Sequence, residues 1–165
     1  MRALQKFLSV TAVVGTTLAF AGVPGASGAT SAEISGQSKL LVEMNAARVQ
    51  HHLAPLRHSQ VLTRPARRHS AYLARTGELD HDDADGKPFY IRLYRAGFSR
   101  SKAVGENLGM SSGCATDLAK TMVQMWLDSP GHRANLLSQR FKVVGLAVVV
   151  ASDCSNTVYA TDFGG

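Results

Sequence analysis

Two histidines and a glutamate have the clearest capacity for chemistry in this 165-residue chain. His81, Glu106 and His132 are far apart along the chain, and each is predicted to lie in a loop or at the end of an element, where catalytic and binding groups tend to lie. Two imidazoles and a carboxylate suit a divalent metal ion or a proton-transfer site. Their spacing alone is uninformative and favours scattered surface histidines, so a site requires that the fold brings them together.

Two other motifs match known patterns incompletely. Segment 109–113 reads GMSSG and fits the G-x-S-x-G pattern, but a serine nucleophile at Ser111 needs a strand before it and a parallel sheet beneath it. The strands predicted here come last, so we interpret this segment as a flexible loop. The acidic segment from His81 has His where a calcium loop begins with Asp, and Arg92 where its bidentate Glu would stand. We interpret it as a solvated loop.

A basic stretch is the third candidate for binding. The helical pattern places four arginines on the outer face of one helix: Arg64, Arg67, Arg68 and Arg75. They could bind an anionic cell-envelope component, although such residues more often form a solvated helix face. The formal charge of +6 falls to +4 without Arg2 and Lys6, and this mild charge argues against nucleic acid as a partner.

The first 29 residues have the features of a signal peptide. Arg2 and Lys6 precede the apolar run 7–23, and the small residues 27–29 offer a cleavage site. No second apolar run is long enough to span a membrane. We therefore expect a secreted, extracellular protein with a short linker over 30–37 and one domain over 38–165.

Cys114 and Cys154 are the only cysteines. Export would expose them to an oxidising environment, and two cysteines without a CxxC motif make a poor zinc site. We expect one disulfide, with a pair of free thiols as the alternative. Closing a loop of about 41 residues would stabilise the fold by ~4 kcal/mol through its effect on the unfolded chain.

Amphipathic helices must position the candidate residues. Apolar residues at helical spacing predict a first helix over 38–52 and a second one that ends at Arg75. Proline is tolerated only in the first turn, so Pro65 indicates that the second helix begins near Thr63.

Further helices are predicted in the middle of the chain. Segment 88–96 favours a short helix, and 105–108 is expected to lie in a loop. Thr116 is a plausible N-cap for a helix that contains Trp126, and the Ser-Pro-Gly sequence at 129–131 interrupts that helix and can start another.

The C-terminal segment changes to a strand pattern. Residues 143–151 are nearly all apolar and many are β-branched, and 157–163 follows as the second strand of a hairpin. Both faces of the first strand are apolar, so helices must cover the sheet on both sides. The predicted class is α+β, a small antiparallel sheet between helices. Trp126, Phe141 and Phe163 are expected to be structural.

Several short strings occur in an order that resembles the CAP superfamily, in its bacterial SCP-like branch. This superfamily includes cysteine-rich secretory proteins, venom antigens and plant pathogenesis-related proteins. The strings are Asn45-x-x-Arg48, Ala54-Pro55-Leu56, His81, Gly105-Glu106-Asn107-Leu108, Trp126-x-x-Ser129-Pro130-Gly131-His132-Arg133-x-Asn135-Leu136, Val144-Gly145, and YATDFG at 159–164. The resemblance covers residues 38–164, and its Trp-x-x-Ser-Pro-Gly-His-Arg string is highly specific.

The resemblance implies an α-β-α sandwich and a cleft that many members line with two His and two Glu. His81, Glu106 and His132 match three of these, whereas Ser129 stands where the second Glu is expected. Asp128 beside it is a possible substitute, and zinc would at most bind weakly. The motif residues expected to be structural are Asn45, Arg48, Asn107, Trp126, Pro130, Gly131, Arg133 and Asn135.

Fold resemblance does not determine a reaction. The chain has no convincing Ser or Cys nucleophile and no HExxH helix, so its sequence does not establish catalysis. We expect a secreted, non-enzymatic domain that binds a lipid, a small molecule or a weakly held divalent metal. One alternative is a metal-assisted hydrolase in which His81 and His132 hold the ion and Glu106 is the general base. Another is a cell-envelope interaction module that uses the arginine-rich helix. The oligomeric state stays open.

Overall fold

Five helices and four strands make up residues 28–165, the part of the chain that this computed structural model describes. The predicted signal peptide lies outside the described residues except for its last two positions. The helices are α1 (Ser31–Gln50), α2 (Gln60–Thr76), α3 (Phe89–Arg95), α4 (Ala119–Asp128) and α5 (Pro130–Leu136). The strands are β1 (Arg57–His58), β2 (Val104–Ser112), β3 (Val143–Val150) and β4 (Asn156–Gly164). No helix in this range is long and apolar enough to cross a membrane.

The first helix begins earlier than the apolar pattern predicts. Thr30 and Glu33 form a capping box, in which the Thr30 hydroxyl accepts from the Glu33 amide (3.2 Å) and the Glu33 carboxylate accepts from the Thr30 amide (2.8 Å). Glu33 also accepts a hydrogen bond from the Val150 amide (3.1 Å), which fastens the helix start to the sheet. Residues 31–37 are therefore helical, and the prediction of a linker over 30–37 was wrong.

The four strands form one sheet in the order β1-β3-β4-β2. The predicted hairpin is confirmed as the antiparallel pair β3 and β4, and β2 is antiparallel to β4. The sheet is mixed, because the two-residue strand β1 runs parallel to β3.

Two segments that were predicted to be loops belong to strand β2. The strand contains all of 105–108 and most of 109–113. Its glycines and polar residues obscured the strand pattern. At Gly109, an added Cβ would lie 2.1 Å from the Met122 sulfur, so a side chain there would collide with α4. Ser111 thus lies within a strand rather than on a sharp turn from a strand to a helix.

Helices cover both faces of the sheet, as predicted. Leu146 and Val148 of β3 pack in a cluster with α1, α4 and α5, whereas Ala147 and Val149 pack on the opposite face with α2. Trp126 and the stacked pair Phe141 and Phe163 are buried in the first cluster, as expected for structural residues. The main members of the first cluster are Leu40, Met44, Met122, Trp126, Val144, Leu146, Val148, Tyr159 and Phe163.

Two helix starts differ from the sequence prediction. Helix α2 begins at Gln60, about one turn before Thr63, and Pro65 lies buried inside it. Helix α4 begins at Ala119, so Thr116 is not its N-cap. The Tyr159 hydroxyl accepts from the Leu118 amide (3.2 Å) at the start of α4, which is a tertiary cap that the local sequence does not reveal.

The expected disulfide is confirmed. Cys114 follows the end of β2 and Cys154 lies in the turn between β3 and β4, with their Cα atoms 4.9 Å apart. The bond joins two neighbouring connections at one end of the sheet.

Candidate functional site

The Glu106 carboxylate is buried and has a partner on each oxygen. Its Oε1 accepts a hydrogen bond from Nδ1 of His81 (2.7 Å), and its Oε2 forms an ion pair with the Arg92 guanidinium. Only 1% of the Glu106 side chain is exposed, compared with 50% of the His81 side chain. Glu106 therefore connects a buried cation to a half-exposed imidazole.

The loop between α2 and α3 carries His81, and two residues fix its path. His69, buried on α2, donates from Nε2 to the Asp80 carbonyl (2.8 Å). Arg92 of α3 donates to the His81 carbonyl (2.9 Å) and to the Asp83 carboxylate (3.3 Å). The backbone of His81 is thus held from both sides by helical residues.

The environment of His81 favours the neutral imidazole. Partial burial lowers its pKa below the usual 6.5, and the positive charge of Arg92 lowers it further. The carboxylates of Asp80, Asp82 and Asp162 oppose this shift without reversing it. A neutral ring that donates from Nδ1 to Glu106 carries a lone pair on Nε2. No residue within 28–165 hydrogen-bonds to this nitrogen, so it can accept a hydrogen bond from a ligand.

The third predicted residue makes no hydrogen bond or ion pair to this pair among the described residues, although it lies within electrostatic range of His81. His132 is in the first turn of α5, and its pKa is lowered by burial and by the repulsion that its protonated ring would experience from a protonated His81. Asn107 of β2 donates to the His132 carbonyl (3.0 Å), and Asn135 donates to the Glu106 carbonyl and the Asn107 side chain, both at 3.0 Å. These amides fix the start of α5 against β2.

These side chains do not fit a divalent metal ion. Within the described range, no three His, Cys, Asp or Glu side chains are arranged to hold one. Both Glu106 oxygens are engaged, and Arg92 holds a fixed positive charge where a cation would have to bind. Asp128 is exposed, accepts a hydrogen bond from Gln124 on α4 (2.9 Å), and forms no such group with the other candidates in the described range.

Sequence reasoning missed Asp162. It lies on β4 directly opposite Glu106, is fully buried, and neither carboxylate oxygen has a hydrogen-bond partner among the described residues. Burial raises its pKa from 3.8 to about 7, although Arg92 opposes the shift. The available signal was an acidic residue in a strand whose neighbours are all buried, since such a residue is costly unless it has a role.

Arg92 was considered only as the residue that excludes a calcium loop. The structure makes it the buried cation of the cluster, and burial lowers its pKa. The guanidinium also lies over the Phe89 ring, 5.9 Å from its centroid. An arginine in a short, mostly aromatic and aliphatic helix was the signal that could have identified it.

Two motif residues on α1 tie this helix to distant loops. Asn45 donates to the Leu56 carbonyl (3.0 Å) and accepts from the Leu56 amide (2.8 Å). Arg48 is buried and donates to the carbonyls of Leu136 (2.8 Å) and Ser138 (3.0 Å) at the end of α5. Both side chains satisfy backbone groups in connections.

The remaining motif residues lie around α4 and α5. The Trp126 indole donates to the Leu108 carbonyl of β2 (2.9 Å). Pro130 is the first residue of α5, Gly131 has open space where a Cβ would be, and the exposed Arg133 donates to the Leu127 carbonyl (3.4 Å). Trp126 thus connects α4 to β2 and Pro130 begins α5, whereas nothing in the structure explains the glycine at 131.

The arginine-rich helix does not present its four arginines as one group. Arg64, Arg67 and Arg68 line a depression together with Arg95 of α3. Arg75 lies elsewhere, over the Tyr72 ring at 5.5 Å.

A model of the cysteine-rich secretory protein family, CAP, matches residues 41–163. The uncharacterized protein YkwD of Bacillus subtilis strain 168 is 30% identical over 118 residues, which are 70% of this chain and 44% of that protein. The chain thus spans less than half the length of this curated relative.

Solved structures share the fold. An extracellular SCP-domain protein of Bacillus anthracis superposes with a TM-score of 0.67 at 26% identity, over 79% of this chain and 40% of that one. An outer surface protein of Borrelia burgdorferi gives 0.65 at 19% identity, over 79% and 92% of the two chains. A cysteine-rich secretory protein of Staphylococcus aureus gives 0.61 at 20% identity, over 80% and 38%.

Proposed function

The chain belongs to the CAP family of cysteine-rich secretory proteins, and on this premise we propose that it is a secreted binding domain whose ligand contacts His81 in the cleft. One observation carries the proposal. The His81 ring is oriented by a buried carboxylate through a 2.7 Å hydrogen bond, while half of its side chain stays exposed. An imidazole held in this way is preorganised to accept a hydrogen bond.

The chemistry of the cluster favours an uncharged ligand. Nε2 of neutral His81 accepts, so the ligand should offer a hydroxyl or N–H donor. The carboxylate beneath it is already neutralised by Arg92, and it has no free oxygen with which to bind a cation. A hydroxyl-bearing small molecule or lipid fits these properties better than a divalent metal does.

The same contacts count against the metal-assisted hydrolase. A general base must reach the water or hydroxyl that it deprotonates, whereas Glu106 is only 1% exposed and has both oxygens engaged. In this arrangement Glu106 orients an imidazole, and His81 is the group that could accept a proton. Its ring bonds to no Ser, Thr or Cys of the described chain, so we propose binding without a reaction.

Native mass spectrometry of protein purified from culture medium tests this proposal. We expect wild-type protein to retain an uncharged organic molecule, and His81→Ala to lose it. His51→Ala is the matched control, because His51 is an exposed histidine at the end of α1 and should leave retention unchanged. No adduct on wild type, an adduct that survives His81→Ala, or a retained metal ion would count against the proposal.

A further inference from the structure

A depression of about 500 Å³ lies between α2 and α3, and its walls are unusually basic. Four of its five lining residues are arginines. They are Arg64, Arg67 and Arg68 of α2 and Arg95 of α3, and the fifth is Ala96. No acidic residue is among them. Arginines from two separate helices therefore line the same depression.

The charge of this depression is largely uncompensated within the chain. Arg64 and Arg68 are exposed, one helical turn apart, and no carboxylate in residues 28–165 lies within 4.0 Å of either guanidinium. Arg95 has one loose contact, 3.9 Å from Asp85, between half-exposed side chains. Like charges at this helical spacing repel each other. A bound anion would relieve the repulsion.

Arg67 differs from the other three arginines. It lies 3.6 Å from the buried carboxylate of Glu33, which caps α1. Changing it would disturb the start of α1 as well as the depression. The test therefore uses Arg64, Arg68 and Arg95.

A further acid in the adjoining depression, Asp83, does not neutralise the site. Asp83 lines the adjoining depression beside Arg68 and Arg95, but its carboxylate is already paired with Arg92 at 3.3 Å. Asp83 therefore lies at the edge of the basic surface, and the depression lined by the four arginines keeps its positive charge.

We propose that Arg64, Arg68 and Arg95 form a binding site for a phosphoryl group. The planar guanidinium matches phosphate oxygens through paired hydrogen bonds, and three such groups suit an anion with several free oxygens and up to two charges. A carboxylate has two oxygens and one charge, so it would leave part of the site unmatched. The phosphoryl group can belong to a soluble phosphate ester, a phosphodiester polymer or a lipid headgroup. The site shares no residue with the cleft and does not rest on the function proposed there.

Calorimetric titration of the protein with inorganic phosphate tests the site directly. We expect saturable binding that is stronger than binding of acetate. Arg64→Gln, Arg68→Gln and Arg95→Gln should each weaken it by about tenfold, the effect of losing one charge-assisted hydrogen bond. Arg75→Gln is the matched control on the same helix, with the same charge change and a position over Tyr72, and it should change affinity less than about twofold. All four side chains are exposed, so melting temperatures should stay unchanged.

Two further titrations identify the source of the phosphoryl group. A soluble glycerol-phosphate polymer and vesicles of phosphatidylcholine with phosphatidylglycerol are tested with the same variants, and the tighter binder indicates polymer or lipid. If inorganic phosphate binds as tightly as the polymer and the vesicles do, the natural ligand is a small phosphate ester. If Arg75→Gln and Arg68→Gln lose the same affinity for phosphate, binding reflects the general positive charge of the helix rather than a specific site. That result would overturn the proposal. No binding in any arm, or acetate binding as well as phosphate, would also overturn it.

Discussion

Glu106 of β2 and Asp162 of β4 lie directly opposite each other in the sheet, and both are buried. Two negative charges in this arrangement destabilise a sheet. Arg92 forms an ion pair with Glu106, whereas Asp162 has no hydrogen-bond partner in the described chain and its pKa is raised to about 7. This buried cluster therefore contains one neutralised carboxylate and one that burial keeps protonated in mildly acidic solution.

The raised pKa of Asp162 predicts a pH-dependent stability. Between pH 3.8 and about 7 the folded state retains a proton that the unfolded state has lost, so the free energy of unfolding falls as pH rises through this window. Histidines with lowered pKa values have the opposite effect, so the comparison must be made against Asp162→Asn. This variant should lose less stability across the window and be more stable than wild type at pH 8. Parallel urea-denaturation profiles for the two proteins would contradict the buried-acid assignment.

Removing Arg92 should be strongly destabilising. Arg92→Met retains most of the apolar stem but leaves Glu106 as a buried, unpaired charge, at a cost of about 3 to 5 kcal/mol. Adding Glu106→Gln should recover part of this loss, because it removes the uncompensated charge. The exposed Arg140→Met should change stability by less than about 0.5 kcal/mol in the same urea denaturation. Equal effects of Arg92→Met and Arg140→Met would show that the buried pair does not form.

Trp126 should be a major contributor to stability. Its ring is 1% exposed and its indole donates to the Leu108 carbonyl, so Trp126→Ala should cost about 3 to 5 kcal/mol. Trp126→Phe retains an aromatic ring and should cost less, mainly through the lost hydrogen bond, about 1 to 3 kcal/mol. Chemical denaturation measures both variants, and an unchanged midpoint for Trp126→Ala would refute the structural role.

Measurement of the intact mass tests both the cleavage of the signal peptide and the formation of the disulfide. We expect the protein in the medium to lack residues 1 to about 29, and Cys114 and Cys154 to resist alkylation until they are reduced. A mature species that retains Met1 would contradict the signal-peptide prediction. Two thiols that react without reduction would contradict the disulfide.

Local sequence was informative wherever one residue pattern determined the element. The β-branched run at 143–151 predicted the hairpin and the need for helices on both faces, because burial on two sides leaves a continuous apolar stretch. Strand β2 was missed because its glycines accommodate close helices, such as Gly109 beneath Met122. The start of α4 was also misplaced, because a side chain from β4 caps it.

The candidate site was likewise predicted only in part. The resemblance singled out His81, Glu106 and His132, and the fold joins the first two by a hydrogen bond and brings the third within electrostatic range of His81. The partners that determine their chemistry, Arg92 and Asp162, were missed because they come from other elements. The resemblance therefore indicated which residues to examine, but the charge balance around Glu106 depends on tertiary contacts that the sequence does not reveal.

The state of the His81 ring tests the central claim most directly. Nitrogen-15 NMR of the folded protein reports which ring nitrogen carries the proton, and a pH titration with and without equimolar zinc gives the pKa. We predict a neutral ring at pH 7, protonated at Nδ1 toward Glu106, with a pKa below 6.5 that zinc leaves unchanged. A ring protonated at Nε2, a charged ring at pH 7, or a zinc-dependent shift of both His81 and His132 would contradict a metal-free cleft built on the Glu106–Arg92 pair.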